Sequence, residues 1–375
     1  MKIGIDCRFL NRAIEQKPGG NTGHGVYIYN LVKNLSAIDN QNEYNLYLLN
    51  DCDYKLEKSN FNNKRMSKLH NNGYLRSVLT FPVELWRNPV DIFHGLYSIP
   101  MLKLKRTVLT MFEFSWLLFP QYYSKRVTIP AGAMIKMAVS RANMVITGSK
   151  FMKEEVLNYF KIPEERVEAI PLGVDEVFFE HMNEADIRDM RKRFKIEADY
   201  ILAVGDLWPK KNVERLIAAF CILRKSKNFD LELVLTGGNL WKSEQLFQKI
   251  HSSGFKDKII TTGYVSLRDL KLLYQGAQLF VFPSLYEGFG LPVLEAMASK
   301  TPVVVSNVSS IPEVAGDAGV YFDPYNAENI ASTMLKVIDN SELREGLIKR
   351  GRERAEKFTW LKVSERTLHI YRKIA

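Results

Sequence analysis

The sequence has little cysteine and no long apolar segment. Its 375 residues include three cysteines, Cys7, Cys52 and Cys221, which are odd in number and far apart. This usage predicts neither a disulfide framework nor a zinc site, and it favours a reducing compartment.

The most apolar stretches, such as residues 114–119, are too short to cross a bilayer. The first ten residues predict a buried strand rather than a signal peptide, so we expect a protein that is soluble or bound to one membrane face.

Acidic residues are scarce in one part of the chain. Between Tyr54 and Arg141 there are 14 Lys and Arg residues but four Asp and Glu residues, an excess that equals the net charge of +10 for the whole chain. Such a segment forms either a solvated basic face or a surface that attracts an anion, such as a lipid headgroup, a pyrophosphate group or a nucleic acid. The sequence contains no recognised RNA- or DNA-binding module, so we expect no nucleic-acid partner.

The distribution of apolar residues predicts two successive α/β units. The chain is too long for one ordinary core, and 46% hydrophobic with 25% charged residues is a globular composition. Short apolar runs alternate with helical patterns, which predicts parallel sheets in two doubly wound domains. The predicted strands are 2–6, 43–49, 91–94, 107–110 and 144–147, then 200–204, 231–235, 258–261, 279–282 and 302–306. The predicted helices include 150–159, 213–223, 241–252, 267–275, 292–299, 328–338 and 361–374, and the pattern restarts near residues 171–175.

One cluster of polar residues and glycines, residues 284–296, follows the predicted strand 279–282. Pro292 suits the first position of a helix, so the preceding N–H groups would form an anion- or hydroxyl-binding site at the helix start. Glu287 and Glu295, with seven residues between them, could each bind a diol. Alternatively, Glu295 is a favourable first-turn acid and Gly288 and Gly290 only make a turn; from the residues alone the two interpretations are equal.

Two further clusters follow predicted strands. Residues 205–212 contain Lys210 and Lys211, which could neutralise a diphosphate and stabilise it as a leaving group, or could be a solvated basic loop. The glycine-rich loop 18–25 ends in Gly23, His24 and Gly25 before a helix. It is neither a dinucleotide fingerprint nor a P-loop, and by itself it favours a plain flexible loop.

Together the three clusters resemble those of the retaining family 4 glycosyltransferases, which have the GT-B fold. The resemblance covers nearly the whole chain and includes mannosyltransferase-like members. The Glu287–x7–Glu295 segment is its most specific part, and residues 263–265, 270–277, 302–306 and 311–319 support it. It implies two Rossmann-like domains facing a central cleft: an acceptor-side domain at 1–172, a donor domain at 173–356, and a last helix at 357–375 that crosses back to the first domain.

The resemblance also implies a role for each site residue. The ribose hydroxyls would bind Glu295, and the hydroxyls of the transferred sugar would bind Glu287 and the backbone around Gly288. The diphosphate would bind Lys211 with help from Lys210, and these three charged residues, Glu287, Lys210 and Lys211, are the predicted catalytic residues. The remaining predicted contacts are the backbone N–H groups of Phe289, Gly290 and Leu291 to the sugar, Tyr264 and Val265 to the base, and Gly23 and Gly25 to the donor phosphates.

The implied reaction retains the anomeric configuration by front-face transfer. In it a donor phosphate oxygen helps to deprotonate the incoming hydroxyl, and the enzyme orients both substrates and stabilises the charge on the diphosphate. The resemblance implies no metal and no cofactor other than the nucleotide-sugar co-substrate. The Asp51–Cys52–Asp53 triplet lies away from the donor clusters and is interpreted as a polar turn.

Four positions depart from the family pattern or bear on the acceptor. Where relatives usually carry His-Asp after the strand 107–110, this chain has Phe112 and Glu113. Glu113 can replace the aspartate, but Phe112 has no hydrogen-bonding side-chain atom. Asp206 stands where many relatives have an arginine, which leaves phosphate neutralisation to the lysines. We also predict a possible acceptor contact at His94, although a structural role is favoured for a lone histidine.

The resulting hypothesis is a hexosyltransferase of surface polysaccharide or glycoconjugate synthesis. Its donor would be GDP-mannose first and a UDP-sugar second, and its acceptor a glycan or lipid-linked molecule. The basic segment predicts a cytoplasmic protein with peripheral contact at the anionic inner face of the membrane. The alternatives are a catalytically weak nucleotide-sugar-binding partner of another transferase, favoured by Phe112, and a nucleotide-sugar epimerase.

Overall fold

The computed structural model describes residues 1–10, 23–122, 125–226, 230–238 and 243–375. The first part of the glycine-rich loop, residues 18–22, and the predicted helix start at 241–242 lie outside the described residues. The chain divides into two compact units: the first comprises Met1–Gly173 and Trp360–Ala375, and the second comprises Val174–Thr359. Within the described ranges, no helix combines the length and apolar character needed to cross a bilayer.

The first unit is built on a parallel sheet. Its described strands are β1 (Lys2–Asp6), β2 (Glu43–Leu48), β3 (Phe61–Arg65), β4 (Ile92–Leu96), β5 (Arg106–Met111), β6 (Met144–Thr147) and β7 (Val167–Ala169), in the order β3-β2-β1-β4-β5-β6-β7. Its described α-helices are α1 (Gly23–Ile38), α2 (Gly73–Leu75), α3 (Phe81–Arg87), α4 (Ser115–Leu118), α5 (Lys125–Arg141) and α6 (Lys150–Phe160). A π-helical turn, Arg76–Thr80, joins α2 to α3.

The second unit repeats this architecture. Its described strands are β8 (Asp199–Val204), β9 (Leu231–Thr236), β10 (Ile259–Gly263), β11 (Leu279–Phe282), β12 (Val303–Ser306) and β13 (Gly319–Phe322), in the order β10-β9-β8-β11-β12-β13. Its described helices are α7 (Glu184–Phe194), α8 (Val213–Ser226), α9 (Ser243–Ser252), α10 (Leu267–Gly276), α11 (Leu291–Ala298), α12 (Ile311–Ala315), α13 (Ala327–Ile338) and α14 (Ser341–Ala355). These two sheets confirm the predicted α/β class with two doubly wound domains.

The strands are nearly continuous apolar runs because helices cover both faces of each sheet. In β9 and β11 every residue is buried. On one side of the second sheet, Leu233 and Val281 share a core with Phe220 of α8 and Met334 of α13. Side chains cap many helix starts; Ser149, for example, accepts a hydrogen bond from the N–H of Met152 at the start of α6.

The last helix, α15 (Trp360–Ile374), belongs to the first unit. Its buried face includes Trp360, Val363 and Tyr371. The Tyr371 hydroxyl lies 2.6 Å from Nδ1 of His94 in β4, so a polar contact fixes the helix to the centre of the sheet. The C-terminal segment therefore completes the first unit.

Each sheet has a topological switch point where the strand order reverses. In the first unit this point lies between β1 and β4, and in the second between β8 and β11, which pair directly. In open parallel sheets, ligands bind beyond the carboxyl ends of the strands at this point. The loops after β8 and β11 are therefore the first place to look for a site in the second unit.

Candidate functional site

The loops after β8 and β11 lie side by side at the switch point of the second unit. The Leu285 N–H donates a 2.8 Å hydrogen bond to the carbonyl oxygen of Lys210. This bond joins the lysine cluster directly to the Glu287 loop, two segments that are about 75 residues apart in sequence. The structure therefore brings two of the three predicted clusters together.

Asn212 fixes the loop after β8. Its backbone is left-handed, with φ of 57°, a conformation that asparagine tolerates better than most residues. Its side-chain amide donates to the carbonyl oxygens of Pro283 at 3.1 Å and Pro324 at 2.7 Å, and the residue is 6% exposed. Asn212 thus connects the ends of three strands, β8, β11 and β13, a role that was not predicted from the sequence.

Lys211 and Glu287 form an ion pair between the two loops. Lys211 Nζ lies 2.6 Å from Glu287 Oε1, and the side chains are 18% and 10% exposed. The same ammonium lies 5.1 Å from the centre of the Phe282 ring, a cation–π distance. A Cβ on Gly205 would come within 3.4 Å of the Lys211 side chain. The lysine is therefore held at the carboxyl end of the sheet by charge and by packing.

Serine side chains hold the Glu287 loop in shape. Ser310 Oγ lies 2.8 Å from the carbonyl oxygen of Glu287 and 2.7 Å from that of Phe289. The Glu287 N–H donates to Ser309 Oγ at 3.1 Å, and Ser309 itself has a left-handed φ of 56°. Such strained backbone persists only where the surroundings stabilise it, and it is concentrated at functional sites. Neither Ser309 nor Ser310 was predicted from the sequence as part of the site.

Helix α11 begins directly after this loop. Gly290 has φ of 119°, a conformation that L side chains rarely adopt, and Pro292 occupies the first turn of the helix as predicted from its lack of an N–H. Gly288, Phe289 and Gly290 are all buried and Leu291 is half-buried, so the backbone is packed closely at this helix start. The arrangement suits a group that accepts hydrogen bonds from backbone N–H groups.

Glu295 lies one turn into α11 and faces a buried tyrosine. The Tyr274 hydroxyl donates a 3.0 Å hydrogen bond to Glu295 Oε2. Burial raises the pKa of Glu295 from 4.5 to about 7, against the lowering effect of Tyr274, and the charge of Asp175 raises it further. A carboxyl group with this pKa changes charge near neutral pH, which is common at functional sites.

Tyr264 lies at the end of β10, next to glycines that follow β9. A Cβ on Gly238 would come within 2.3 Å of the Tyr264 ring, so only glycine fits beneath it. The Gly238 N–H donates to Asp206 Oδ1 at 3.2 Å, and burial together with the charge of Asp206 raises the pKa of Tyr264 to about 12. Tyr264 is 37% exposed and Val265 beside it is half-buried. Asp206 therefore helps to position Gly238 and Tyr264. It has a structural role of its own at the position where many relatives carry an arginine.

The other predicted residues belong to the first unit, where Gly23 and Gly25 lie in the first turn of α1. Between them, His24 Nε2 lies 2.9 Å from the hydroxyl of Tyr97, a residue with φ of 57° at the end of β4. The N–H groups of Phe112 and Glu113 both donate to this hydroxyl oxygen, at 3.3 and 3.2 Å. The Tyr97 hydroxyl therefore joins His24 of α1 to the backbone that follows β5.

Phe112 packs inside this cluster. It is 8% exposed, and its ring lies edge-on to Tyr27 with centroids 4.8 Å apart and 6.0 Å from the centre of His24. Glu113 accepts a hydrogen bond from Ser115 Oγ at 3.3 Å. An imidazole is therefore present beside Phe112 even though position 112 is not histidine, and only the folded chain reveals it.

His94 is fully buried. Its Nδ1 bonds Tyr371 and its Nε2 lies 2.7 Å from Thr110 Oγ1, so neither ring nitrogen is available to an acceptor. Burial lowers its pKa to about 3, which keeps the ring neutral. The observed role of His94 is structural, in line with the interpretation that the sequence favoured and not with the acceptor contact.

A buried cationic group lies at the switch point of the first unit. Arg8 Nη1 lies 2.8 Å from Asp6 Oδ2 and 3.0 Å from Ser98 Oγ. Arg76, which is 9% exposed, has a 3.4 Å contact to the carbonyl oxygen of His70, and its Nε has no partner among the described residues. Burial and the charge of Arg8 lower the pKa of Arg76 to about 10, against the effect of Asp6. Arg8 is thus paired with Asp6, and Arg76 lies near enough for the charges of both residues to shift its pKa.

Within the described ranges, no three His, Cys, Asp or Glu side chains come together as metal ligands. The second unit instead offers a lysine pair, two carboxylates and a closely packed helix start at one switch point. This arrangement can bind an anion on the lysines and hydroxyl groups on the carboxylates.

The known protein families that this chain resembles are glycosyltransferases, which agrees with this chemistry. A model of the family described as glycosyl transferases group 1 matches residues 186–354, and one of glycosyltransferase family 4 matches residues 21–178. The chain is 30% identical to O-antigen chain mannosyltransferase B of Escherichia coli, over 94% of this chain and 96% of that protein.

Solved structures share the fold. Sucrose-phosphate synthase from Thermosynechococcus elongatus matches with a TM-score of 0.81 and 19% identity, covering 100% of this chain and 99% of that one. HepE from Anabaena, solved in complex with UDP and glucose, matches with a TM-score of 0.74 and 17% identity over 100% of both chains. The chain belongs to the group 1 glycosyl transferases of family 4: it is a glycosyltransferase with the GT-B fold.

Proposed function

We propose that this glycosyltransferase is retaining and independent of metal ions, and that it moves a hexose from a nucleotide-diphosphate sugar to a glycan or lipid-linked acceptor in surface polysaccharide synthesis. The Lys211–Glu287 pair at the switch point carries the proposal, because it places a cation and a hydroxyl-binding carboxylate in contact. The name of the Escherichia coli relative, an O-antigen chain mannosyltransferase, supports mannose as the first sugar to test and polysaccharide synthesis as the setting.

In the proposed donor complex, the diphosphate binds Lys211 and Lys210, and the sugar hydroxyls donate to Glu287. The ribose hydroxyls bind Glu295, whose pKa is raised to about 7 by burial. Tyr264 and Val265 border the base at the end of β10.

The chemical step breaks the bond between the anomeric carbon and the phosphate oxygen while the acceptor hydroxyl attacks from the same face. The acceptor proton passes to the departing phosphate oxygen, so no committed protein base is needed. The lysines stabilise the charge that develops on the diphosphate, which is the main electrostatic contribution of the enzyme. No cofactor takes part, and the nucleotide sugar is a co-substrate.

On the acceptor side, we propose an anionic, lipid-linked substrate reached by peripheral contact with the inner face of the cytoplasmic membrane. The excess of 14 basic over four acidic residues between Tyr54 and Arg141 supports this, since anionic lipids attract such segments. The buried Arg8, which is paired with Asp6, and the buried Arg76, whose Nε has no partner among the described residues, also favour an anionic group in this unit. Glu113, bonded to Ser115, is the candidate for binding the acceptor hydroxyl.

The second candidate is a catalytically weak nucleotide-sugar-binding partner of another transferase. The buried, apolar Phe112 ring at the end of β5 favours it, because this side chain cannot bind a hydroxyl group. The two candidates differ in whether bound donor is ever turned over.

The deciding experiment incubates the purified protein with a panel of GDP-, UDP- and ADP-sugars in the presence of EDTA. Thermal shift reports binding, and released nucleotide reports turnover. We expect stabilisation and slow release with one donor, GDP-mannose first. Stabilisation without release, even after lipid-linked acceptors are added, would favour the binding partner. Turnover that requires an added divalent cation would contradict metal independence.

A further inference from the structure

The helical stretch from α2 to α3 in the first unit exposes large apolar side chains. The exposed fractions are 62% for Tyr74, 36% for Val78, 46% for Leu79, 39% for Val83 and 78% for Trp86. We call these five residues the apolar face. Single exposed apolar residues are normal, but a contiguous group on one helical stretch marks an interaction surface.

The π-helical turn brings these residues onto one side. In a regular α-helix, Val83 would lie about halfway around the axis from Tyr74. The wider turn at Arg76–Thr80 reduces the rotation per residue, so the apolar face covers only about a third of the circumference. The opposite side is buried: Phe81 and Leu85 pack in a core with Tyr47 and Phe93 of the sheet.

Two further large apolar residues are exposed on segments that adjoin this stretch. The Met101 N–H donates a 2.8 Å hydrogen bond to the carbonyl oxygen of Ser77 in the π turn, and Met101 is 45% exposed. Leu69, in the short turn Lys68–Asn71 before α2, is 55% exposed. The exposed apolar side chains of this region are therefore not confined to one helix.

Basic residues are frequent in the same part of the chain. Residues 64–106 contain eight Lys and Arg residues and two Asp and Glu residues. Of the two acids, Glu84 accepts a hydrogen bond from Asn88, and Asp91 is paired with Lys105. Lys68, Arg87 and Lys103 are exposed.

The exposed aromatic and basic residues indicate which partner this surface binds. Exposed tyrosine and tryptophan on a helical stretch with exposed cations nearby in the chain are typical of helices that lie in the headgroup region of an anionic bilayer. A second copy of the chain would bring like charges together, which disfavours self-association through this surface.

We propose that the apolar face and the basic residues around it form a membrane-docking surface that inserts Tyr74 and Trp86 into the headgroup region of an anionic bilayer. The proposal names the surface that makes the membrane contact, and it rests on the proposed function for its biological setting. The depth is that of an interfacial helix, not a membrane span.

The test is flotation with vesicles of phosphatidylcholine containing about one quarter phosphatidylglycerol. The wild-type chain is expected to float with these vesicles, less so at high salt, and to bind pure phosphatidylcholine weakly. The Tyr74→Ser/Trp86→Ser double variant should lose about tenfold or more in partitioning, because both side chains leave the interface. Arg87→Gln/Lys103→Gln should lose about tenfold by removing two cations.

Tyr325→Ser is the matched control, because Tyr325 is 63% exposed but lies in the second unit. It should bind vesicles like the wild type. Equal binding by the Tyr74→Ser/Trp86→Ser variant and the wild type would overturn the proposal, as would binding that ignores lipid charge. A wild-type dimer that this variant converts to a monomer, with vesicle binding unchanged, would assign the surface to self-association instead.

Donor-induced thermal shift and donor hydrolysis without vesicles separate this proposal from the proposed function. Both should be the same in the double variant and the wild type, which also shows that the variant is folded. Hydrolysis without any vesicle binding by the wild type would refute the docking surface alone. Vesicle binding as expected, without turnover of any donor, would refute the proposed function alone.

Discussion

Lys211 and Glu287 neutralise each other across the switch point of the second unit, with 2.6 Å between Nζ and Oε1. Each is predicted to bind a different part of the donor, the diphosphate for the lysine and the sugar hydroxyls for the carboxylate. A diphosphate on Lys211 would compete with Glu287 for the ammonium group, and sugar hydroxyls would replace the lysine as donors to the carboxylate. The pair thus pre-positions both groups before the donor arrives.

Variants of this pair should separate stability from donor use. Lys211→Met or Glu287→Gln alone should lower the free energy of unfolding by about 2 kcal/mol, since each leaves a largely buried charge without its partner. The double variant should recover part of this loss. Both single variants should lower kcat/KM for the donor about 100-fold or more, and the double variant should not recover activity. Denaturant unfolding and nucleotide release are the measurements.

An exposed ion pair in the same unit provides the control. Lys249 pairs with Glu214, and these side chains are 55% and 49% exposed. Lys249→Met should change stability by less than about 0.5 kcal/mol and leave donor use unchanged. If Lys211→Met and Lys249→Met behave alike in nucleotide release, Lys211 is not the diphosphate ligand.

The raised pKa of Glu295, about 7 against an ordinary 4.5, predicts a pH dependence of donor affinity. The ionised carboxylate accepts hydrogen bonds from ribose hydroxyls better than the protonated group does, so donor affinity should rise as pH increases through about 7. Stability should change in the opposite direction, because the folded chain retains this proton between 4.5 and about 7 while the unfolded chain loses it. Calorimetric donor titration across this range measures the effect.

Two variants test the assignment to Glu295. Glu295→Gln cannot ionise, so its donor affinity should be low and flat over the same pH range. Tyr274→Phe removes the hydroxyl that donates to the carboxylate, so the inflection should move to higher pH. An inflection that is unchanged in Glu295→Gln would assign the titration to another group.

Asn212 should be required for the shape of the loop. Asn212→Gly keeps the left-handed backbone but leaves the carbonyl oxygen of Pro283 without its Asn212 donor and that of Pro324 with Arg215 Nη1 as its remaining donor, and we expect a loss of about 2 kcal/mol. Asn212→Ala adds the strain of an alanine at φ of 57°, for about 1 kcal/mol more. Chemical denaturation measures both. Equal stability of the two variants would show that the loop relaxes and that the backbone conformation is not enforced.

The sequence predicted the strands that carry the switch points because buried parallel strands are continuous apolar runs. The predicted strand 279–282 has the bounds of β11, and 200–204 lies within β8. The short strands β3 and β7 were not predicted: β3 reads Phe-Asn-Asn-Lys-Arg with one buried residue, and β7 has three residues. Edge strands bury too few side chains to leave a clear apolar pattern in the sequence.

The candidate site was also predicted only in part, because the sequence shows local motifs but not contacts between distant residues. Motifs within one loop, such as the one containing Glu287, are visible in the sequence. Tyr274, which faces Glu295, and Tyr97, which holds His24, lie far along the chain from their partners and carry no local signal. The acceptor role of His94 rested on its place at a strand end, and burial of both ring nitrogens could be known only from the fold.

Tyr97 provides the last prediction, because its hydroxyl joins three segments of the first unit. Tyr97→Phe removes the acceptor of the Phe112 and Glu113 N–H groups and the hydrogen-bond partner of His24. We expect a loss of about 1–3 kcal/mol in stability and a lower rate of transfer to acceptor, with a smaller effect on donor hydrolysis, since the lysines and both carboxylates of the donor site belong to the second unit. Phe112→His should raise donor turnover by no more than about twofold if His24 already supplies the imidazole. A large gain from Phe112→His in an otherwise inactive wild type would instead favour the nucleotide-sugar-binding partner.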